Sequence, residues 1–293
     1  MLTSKNRPEH KQKKSTIKSP FVAPVKRILR AHGLHSVCES AHCPNIGDCF
    51  KKGTATFLIL GNTCTRNCRF CNIGTTTSPL PPDPQEPEQL AAAVAELQLK
   101  YVVVTSVTRD DLPDGGAGHF AEVIRQLRAK HSSILVEVLT PDFQGNEQAL
   151  AVVAAERPDV FNHNVETVPR LYDAVRPQAD YRQSLEVLRV MKQRHHLVTK
   201  SGLMTGLGET IDEIKAVMRD LRDVSCDILT IGQYFRPSPD HVPVEKDYTA
   251  DEFEQLRHYG LSIGFLEVYA GRFVRSSFNA SEIREQALDR SGV

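Results

Sequence analysis

Residues 54–71 read TATFLILGNTCTRNCRFC, an apolar run that breaks at Gly61 and Asn62 and opens at once into a loop carrying Cys64, Cys68 and Cys71. A short apolar run rich in Thr, Phe, Leu and Ile, bounded by a Gly-Asn break, marks a strand whose two faces are both covered. A loop leaving the carboxyl end of such a strand stands over the edge of a parallel sheet, where α/β folds assemble their sites.

From this strand onward the same alternation repeats. EQLAAAVAELQL, AEVIRQLRAK, QALAVVAAE, SLEVLRVMKQ, DEIKAVMRDL and ADEFEQLRHYG carry apolar positions at helical spacing, and YVVVTSV, ILVEVLT, VFNHNVE, VTKSGLMTGL and CDILTIGQY lie between them as further strands. Six strands alternating with six helices predict βα units around a parallel sheet. Six units are too few to close an eight-unit barrel, so the expected fold is α/β, a partial TIM-like (β/α)6 barrel. Its open mouth is expected to be covered by residues 22–53 and 265–293, with the barrel itself over 54–264 and a flexible basic arm over 1–21.

The chain has 293 residues, 40% of them hydrophobic, enough for a substantial core. Lys plus Arg and Asp plus Glu number 36 each, so charge points to neither a nucleic-acid nor a membrane partner. No run approaches the ~18 apolar residues of a membrane span, and the polar start lacks the apolar core of a secretory signal. A reducing cytoplasm is therefore expected. The arm holds Lys5, Arg7, Lys11, Lys13, Lys14 and Lys18 with almost nothing apolar, either a solvated tail or a docking element for an acidic protein.

Six of the seven cysteines fall between residues 38 and 71. In a chain expected in a reducing compartment, such crowding points to metal or redox chemistry over a disulfide framework. Cys64, Cys68 and Cys71 have C-x3-C-x2-C spacing, and no fourth local ligand accompanies them. Three thiolates on one cubane leave one iron open, free to chelate the amino and carboxylate groups of a methionine-derived cofactor, whereas structural zinc normally takes four closed ligands. Cys38, Cys43 and Cys49 form a looser C-x4-C-x5-C set, with Pro44 and Gly47 breaking any helix between them. A second cubane is favoured there, and zinc closed by His35 or His42 is the alternative. Cys226 has no neighbour of its kind and is expected to be a buried free thiol.

The C-x3-C-x2-C loop, with Phe70 before its last cysteine, resembles the signature of the radical S-adenosylmethionine superfamily. The upstream triplet narrows the resemblance to the lipoyl synthase family. SVTRDDLPDGGAGHF, EVLTPDFQG, FNHNVETVPRLY, TKSGLMTGLGET, LTIGQYFRPS and VRSSF extend the likeness over residues 22–280. The resemblance implies two 4Fe-4S clusters and S-adenosyl-L-methionine. It implies a 5′-deoxyadenosyl radical that abstracts hydrogen at carbon 6 and carbon 8 of an octanoyl chain on a lipoyl-carrier lysine, with the auxiliary cluster giving up the sulfur. It implies partners too: an octanoylated carrier domain, such as the glycine cleavage H protein or a 2-oxoacid dehydrogenase, and an electron donor such as ferredoxin or flavodoxin. Family pattern assigns the second serine of Arg275-Ser276-Ser277 as fourth ligand of the auxiliary cluster, Ser277, with Ser276 the alternative. Two positions depart from the family form, Phe278 where Tyr is typical and Arg272 where Pro is typical; neither removes a ligand.

A nucleoside sulfonium needs separate polar groups from successive strand ends. The candidates are Phe70, Thr105, the Asp114-Gly115-Gly116 turn, Glu137, Asn164, Glu166, Lys200 and Gly206, with Arg176 able to pair a carboxylate. Gly202 and Glu209 fall in the stretch that resembles the superfamily's adenine-contact strand. Each also has an ordinary structural alternative, as a turn glycine, a surface ion pair or a satisfied polar group.

Overall fold

The computed structural model describes residues 20, 22–40, 43, 45–52 and 54–291. The basic arm, apart from Pro20, lies outside the described residues, as do His42 and Pro44.

The N-terminal segment forms α1 (Val22–Ala31), β1 (His35–Ser36), α2 (Val37–Ser40) and α3 (Ile46–Lys51). The opening apolar run is β2 (Thr54–Ile59), buried along its whole length. Two short strands, β3 (Thr63–Cys64) and β4 (Gly74–Thr75), pair across the first cysteine loop. The repeating units follow as α4 (Glu86–Glu96), β5 (Tyr101–Ser106), α5 (Ala117–Lys130), β6 (Leu135–Leu139), α6 (Glu147–Ala155) and β7 (Val160–Asn162). After these come α7 (Tyr172–Val175), α8 (Tyr181–Gln193), β8 (Thr199–Thr205), α9 (Ile211–Asp223), β9 (Ile228–Gln233), α10 (Ala250–Ser262), β10 (Glu267–Gly271) and α11 (Ala280–Ser291). Capping boxes fix where two helices begin, Thr210 with Glu213 for α9 and Thr249 with Glu252 for α10.

The main sheet has eight strands in the order β1-β2-β5-β6-β7-β8-β9-β10. Only the β1–β2 pair is antiparallel. Its edge strands β1 and β10 do not pair with each other among the described residues, so the barrel is open as expected. The sequence reading missed β10, which continues the parallel run beside β9. A boundary at residue 264 therefore cuts through the sheet. The strand has only five residues, and a turn rather than a helix follows it, so it lacks the βα rhythm that marks the others.

Residues 265–293 were expected to lie over the mouth, and only part of them does. Thr105, Thr230 and Gly232 line a cavity at the carboxyl ends of the strands. By the two-residue alternation of a strand, Tyr101, Val103 and Ile228 face the same lumen lower down. Ala280 packs with Tyr101 and Val103, and Ile283 and Ala287 pack with Ile228. Helix α11 thus fills the lumen beneath the cavity, and only the turn over 272–279 crosses the mouth.

Two glycines let that turn come down onto the strand ends. A Cβ on Gly232 would run into Val274 O, and one on Gly202 would stand 2.6 Å from Asn164 Oδ1 and 3.0 Å from Ser276 Oγ. Any larger residue at either position would lift the tail. The two family departures are accommodated here. Arg272 pairs with Asp247 at 3.1 Å, and Phe278 packs against Tyr269 with ring centroids 6.1 Å apart.

Candidate active site

One cavity of about 930 Å³ lies at the carboxyl ends of the strands, and Cys38, Cys43, Cys64, Cys68, Cys71, Ser276 and Ser277 all reach it. Cys49 is buried beside Cys38 and Cys43, near enough for its thiol to feel their charge. The two triplets, 26 positions apart at their first members (64 − 38), thus converge on one space.

The first loop is held from several sides. Cys64 Sγ accepts the backbone N–H groups of Arg66 and Thr108 at 3.4 and 3.3 Å. Arg66, within the loop, grips two carboxylates: Nε and Nη2 reach Asp110 at 2.6 and 2.8 Å, and Nη1 and Nη2 reach Asp142 at 2.8 and 2.7 Å. Burial alone would raise the Asp142 carboxyl, but the Arg66 guanidinium overrides it and holds the group down at about 2. Arg69 N–H bonds Val175 O, and His241 Nε2 lies 3.0 Å from Cys71 O. The loop geometry therefore rests on protein contacts.

The second loop is held by backbone N–H groups and by the tail. The N–H groups of Asn45 and Asn279 face the Cys43 and Cys49 thiols and favour their thiolates. The Cys38 N–H donates to Ser36 Oγ at 3.1 Å, and Ser36 and Thr56 act on its thiol to favour the thiolate. The Arg275 guanidinium acts on the Cys43 thiol from the tail side.

Burial pushes Cys38, Cys49 and Cys71 up to about 12 and Cys68 up to about 11, the last opposed by Arg176. Without metal these thiols stay protonated, and metal loading must release the protons. Among the described residues, no three His, Cys, Asp or Glu groups are placed as ligands of a single metal ion.

The strand ends supply polar groups with unused valence. Ser106 Oγ, Thr140 Oγ1, His163 Nε2, Asn164 Oδ1 and Arg176 Nε have no hydrogen-bond partner among the described residues, and all five residues line the cavity. Buried polar atoms are rarely left so, and a polar ligand would satisfy them. Arg176 is no surface pair: it is buried, donates to the carbonyls of Asn164 and Val165, and stacks over Tyr172 at 5.2 Å. Burial raises the Glu166 carboxyl, with Arg176 and Asn164 opposing. His163 is kept neutral, pushed down to about 4 by burial and by Arg176, while its Nδ1 lies 2.9 Å from Thr140 O. Phe70 and Thr105 also line the cavity. These residues fit a cofactor with amino-acid, ribose and base portions.

Six sequence candidates stand elsewhere. Glu137 and Lys200, 0% and 1% exposed, pair with each other at 2.9 Å, and Tyr101 and Asn162 donate to the same carboxylate. Neither lines the cavity. Asp114 accepts the N–H groups of Gly116 and Gly118 at the start of α5, and Gly115 and Gly116 pack against Phe143 and Leu60. Gly206 makes a tight turn whose N–H bonds Glu209, with Gln233 and Lys246 where a Cβ would go. These three glycines and Asp114 shape the scaffold. Sequence reasoning in turn gave no role to Arg66, Thr140, Asp142 or His163, although His163 stood inside the quoted FNHNVE stretch.

Residues 58–221 match the model of the Radical SAM superfamily. The chain is 57% identical over 276 residues to the lipoyl synthase of Pelobacter propionicus, covering 92% of this chain and 87% of that one. It is 56% identical over 260 residues to the lipoyl synthase of Methylococcus capsulatus, covering 88% and 80%. Among solved structures, the hydrogenase maturase HydG superposes with a TM-score of 0.55 at 14% identity, covering 93% of this chain and 73% of that one. Methylornithine synthase superposes with a TM-score of 0.52 at 12% identity, covering 80% and 68%. The two structures carry the fold only.

Proposed function

The chain belongs to the lipoyl synthases of the Radical SAM superfamily, and from that membership we propose how its own residues divide the work. It is a sulfurtransferase that inserts two sulfur atoms into a protein-bound octanoyl chain, using S-adenosylmethionine and two 4Fe-4S clusters. Bound here, these groups supply one-electron chemistry strong enough to take hydrogen from an unactivated methylene, together with the sulfur that replaces it.

Cys64, Cys68 and Cys71 would hold the first cluster, which supplies the electron for cleaving the cofactor. Cys38, Cys43 and Cys49 hold the auxiliary cluster, and Ser277 completes its set. Ser276 has its hydroxyl engaged by Asn164 Nδ2 at 2.7 Å, whereas Ser277 lines the cavity with no hydrogen-bond partner among the described residues. That difference supports the second serine. Arg176 offers a buried cation to the cofactor's carboxylate. Asn164 and Glu166 offer an amide and a carboxyl to its hydroxyls, and Phe70 and Thr105 border the same space. The turn over 272–279 screens the site from water.

The observation that carries this reading is the opening of Cys64, Cys68, Cys71, Cys38, Cys43 and Ser277 into one cavity, with Cys49 buried beside Cys38 and Cys43, so that a single acyl chain reaches both cluster sites. Residues 22–53 serve as the auxiliary-cluster lobe and 54–271 as the barrel. No helix among the described residues is long and apolar enough to cross a membrane. We assign the work to the cytoplasm, with an octanoylated H protein or 2-oxoacid dehydrogenase domain as substrate and ferredoxin or flavodoxin as reductant. The test is anaerobic reconstitution followed by S-adenosylmethionine, dithionite and an octanoyl-lysine peptide. The expected products are 5′-deoxyadenosine and a peptide carrying two added sulfurs; deoxyadenosine without sulfur addition overturns the auxiliary assignment.

A further inference from the structure

Asn45 lies between Cys43 and Cys49 and is 0% exposed. Its carbonyl accepts the N–H groups of Asp48 and Cys49 at 3.0 Å each, its Nδ2 donates to Phe273 O at 2.7 Å, and its N–H favours the Cys43 thiolate. Oδ1 alone has no partner among the described residues. The bond to Phe273 joins positions 228 apart in sequence, four residues before Ser277 (277 − 273).

A second tie lies on the other side of that serine. Lys52, just after the auxiliary loop, donates from Nζ to Asn279 Oδ1 at 3.1 Å, and the Asn279 N–H faces the Cys49 thiol and favours its thiolate. The auxiliary loop and the tail are therefore joined at both ends of a short span that contains Ser277. The Asn279 end is also fixed by α11, which starts there and is rooted in the lumen. At the Phe273 end the side chain of Asn45 ties the tail to the auxiliary loop.

We propose that Asn45 is a positioning residue that registers the serine-bearing tail against the auxiliary cysteine loop, so that Ser277 is delivered to the metal site Cys38, Cys43 and Cys49 form. The inference rests on the assignment of Ser277 made above. A side-chain amide suits the task because it donates to a carbonyl without adding charge beside three cysteines. Alanine at 45 leaves the backbone contacts to the loop in place and deletes the side-chain bond to the tail. Aspartate keeps the shape and turns a donor against Phe273 O into an acceptor.

Hydrogen exchange on the full chain, prepared anaerobically with and without iron, tests the tie directly. In Asn45→Ala and Asn45→Asp, residues 272–279 should exchange about fivefold to tenfold faster, as expected for one lost hydrogen bond, with the barrel strands unchanged. Unchanged exchange in the tail overturns the proposal. Chelator extraction from reconstituted protein tests the consequence. Asn45→Ala should speed loss of the auxiliary iron and leave the first cluster's iron alone, and adding it to Ser277→Ala should change nothing further. Additive effects would show that Asn45 acts on the loop independently of the serine, and would overturn the proposal. If Ser277→Ala by itself leaves iron loss unchanged, the serine assignment has failed, and the exchange data still judge the tie.

Discussion

Asn164 Nδ2 donates to Ser276 Oγ at 2.7 Å, directly above Gly202, so the first serine of the pair is fastened to the end of the barrel strands. Its neighbour Ser277 faces the cavity. The two hydroxyls differ by one position in sequence and entirely in employment, and substitutions should separate them. Ser276→Ala should keep near-normal iron and lose activity about tenfold through a loosened tail, the scale of an outer-shell contact. Ser277→Cys should bind near-normal iron and cleave S-adenosylmethionine, yet fail to complete sulfur insertion, because thiolate grips iron more firmly than alkoxide. Iron, acid-labile sulfide and product mass decide it; full sulfur insertion by Ser277→Cys would count against the serine's role.

The two triplets should fail differently. Cys68→Ala should abolish cofactor cleavage, since the first cluster then lacks one of three thiolates. Cys43→Ala should keep cleavage and lose sulfur insertion. Deoxyadenosine and lipoyl product, quantified together by mass spectrometry, check the pair, and equal loss of cleavage in both folded variants would contradict the division of labour.

The Glu137–Lys200 pair should matter to folding and not to cofactor binding. Lys200→Met strands a carboxylate that is 0% exposed, a loss of about 3–5 kcal/mol for a broken buried pair, and Glu137→Gln in the same chain should recover most of it. Denaturant melts measure this. A Lys200→Met/Glu137→Gln protein that folds normally but no longer binds S-adenosylmethionine would return both residues to the site.

Acid should loosen the first cysteine loop through Asp142. Its carboxyl falls from the ordinary 3.8 to about 2 in the folded chain, so the group contributes stability above pH 3.8 that is lost as pH drops through 2. The contribution is about 2 kcal/mol from the size of the shift. In metal-free protein, Asp142→Asn should be less stable than wild type at pH 7, and the gap should narrow between pH 4 and pH 2. Parallel acid titrations would show a constant gap if Arg66 does not grip this carboxylate.

How legible the molecule was depended on the range of the interaction. The strands were readable because burial on both faces leaves runs such as YVVVTS uninterrupted, and the cysteines because cluster ligation imposes short spacings. Glu137 and Asn164 look alike in sequence, polar residues near the ends of strands. Only the fold shows that one meets Lys200 while the other meets the tail and the cavity. Arg66 and Asn45 were silent because their partners lie 76 and 228 residues away. Strand β10 was passed over because five residues without a following helix carry little periodic signal.

Residues 274–278 run between two moorings, Phe273 on Asn45 and Asn279 on Lys52, with Ser276 fastened to Asn164 between them. A serine on so short a tether that lets go of its ligand remains within a few ångströms of it, at an effective concentration of at least millimolar order by the logic of short linkers. Release is then a local and repeatable event, like a latch that opens without leaving the door frame. The same moorings limit how far the hydroxyl swings, so a reaction that must empty one coordination position can do so while the rest of the lid stays in place.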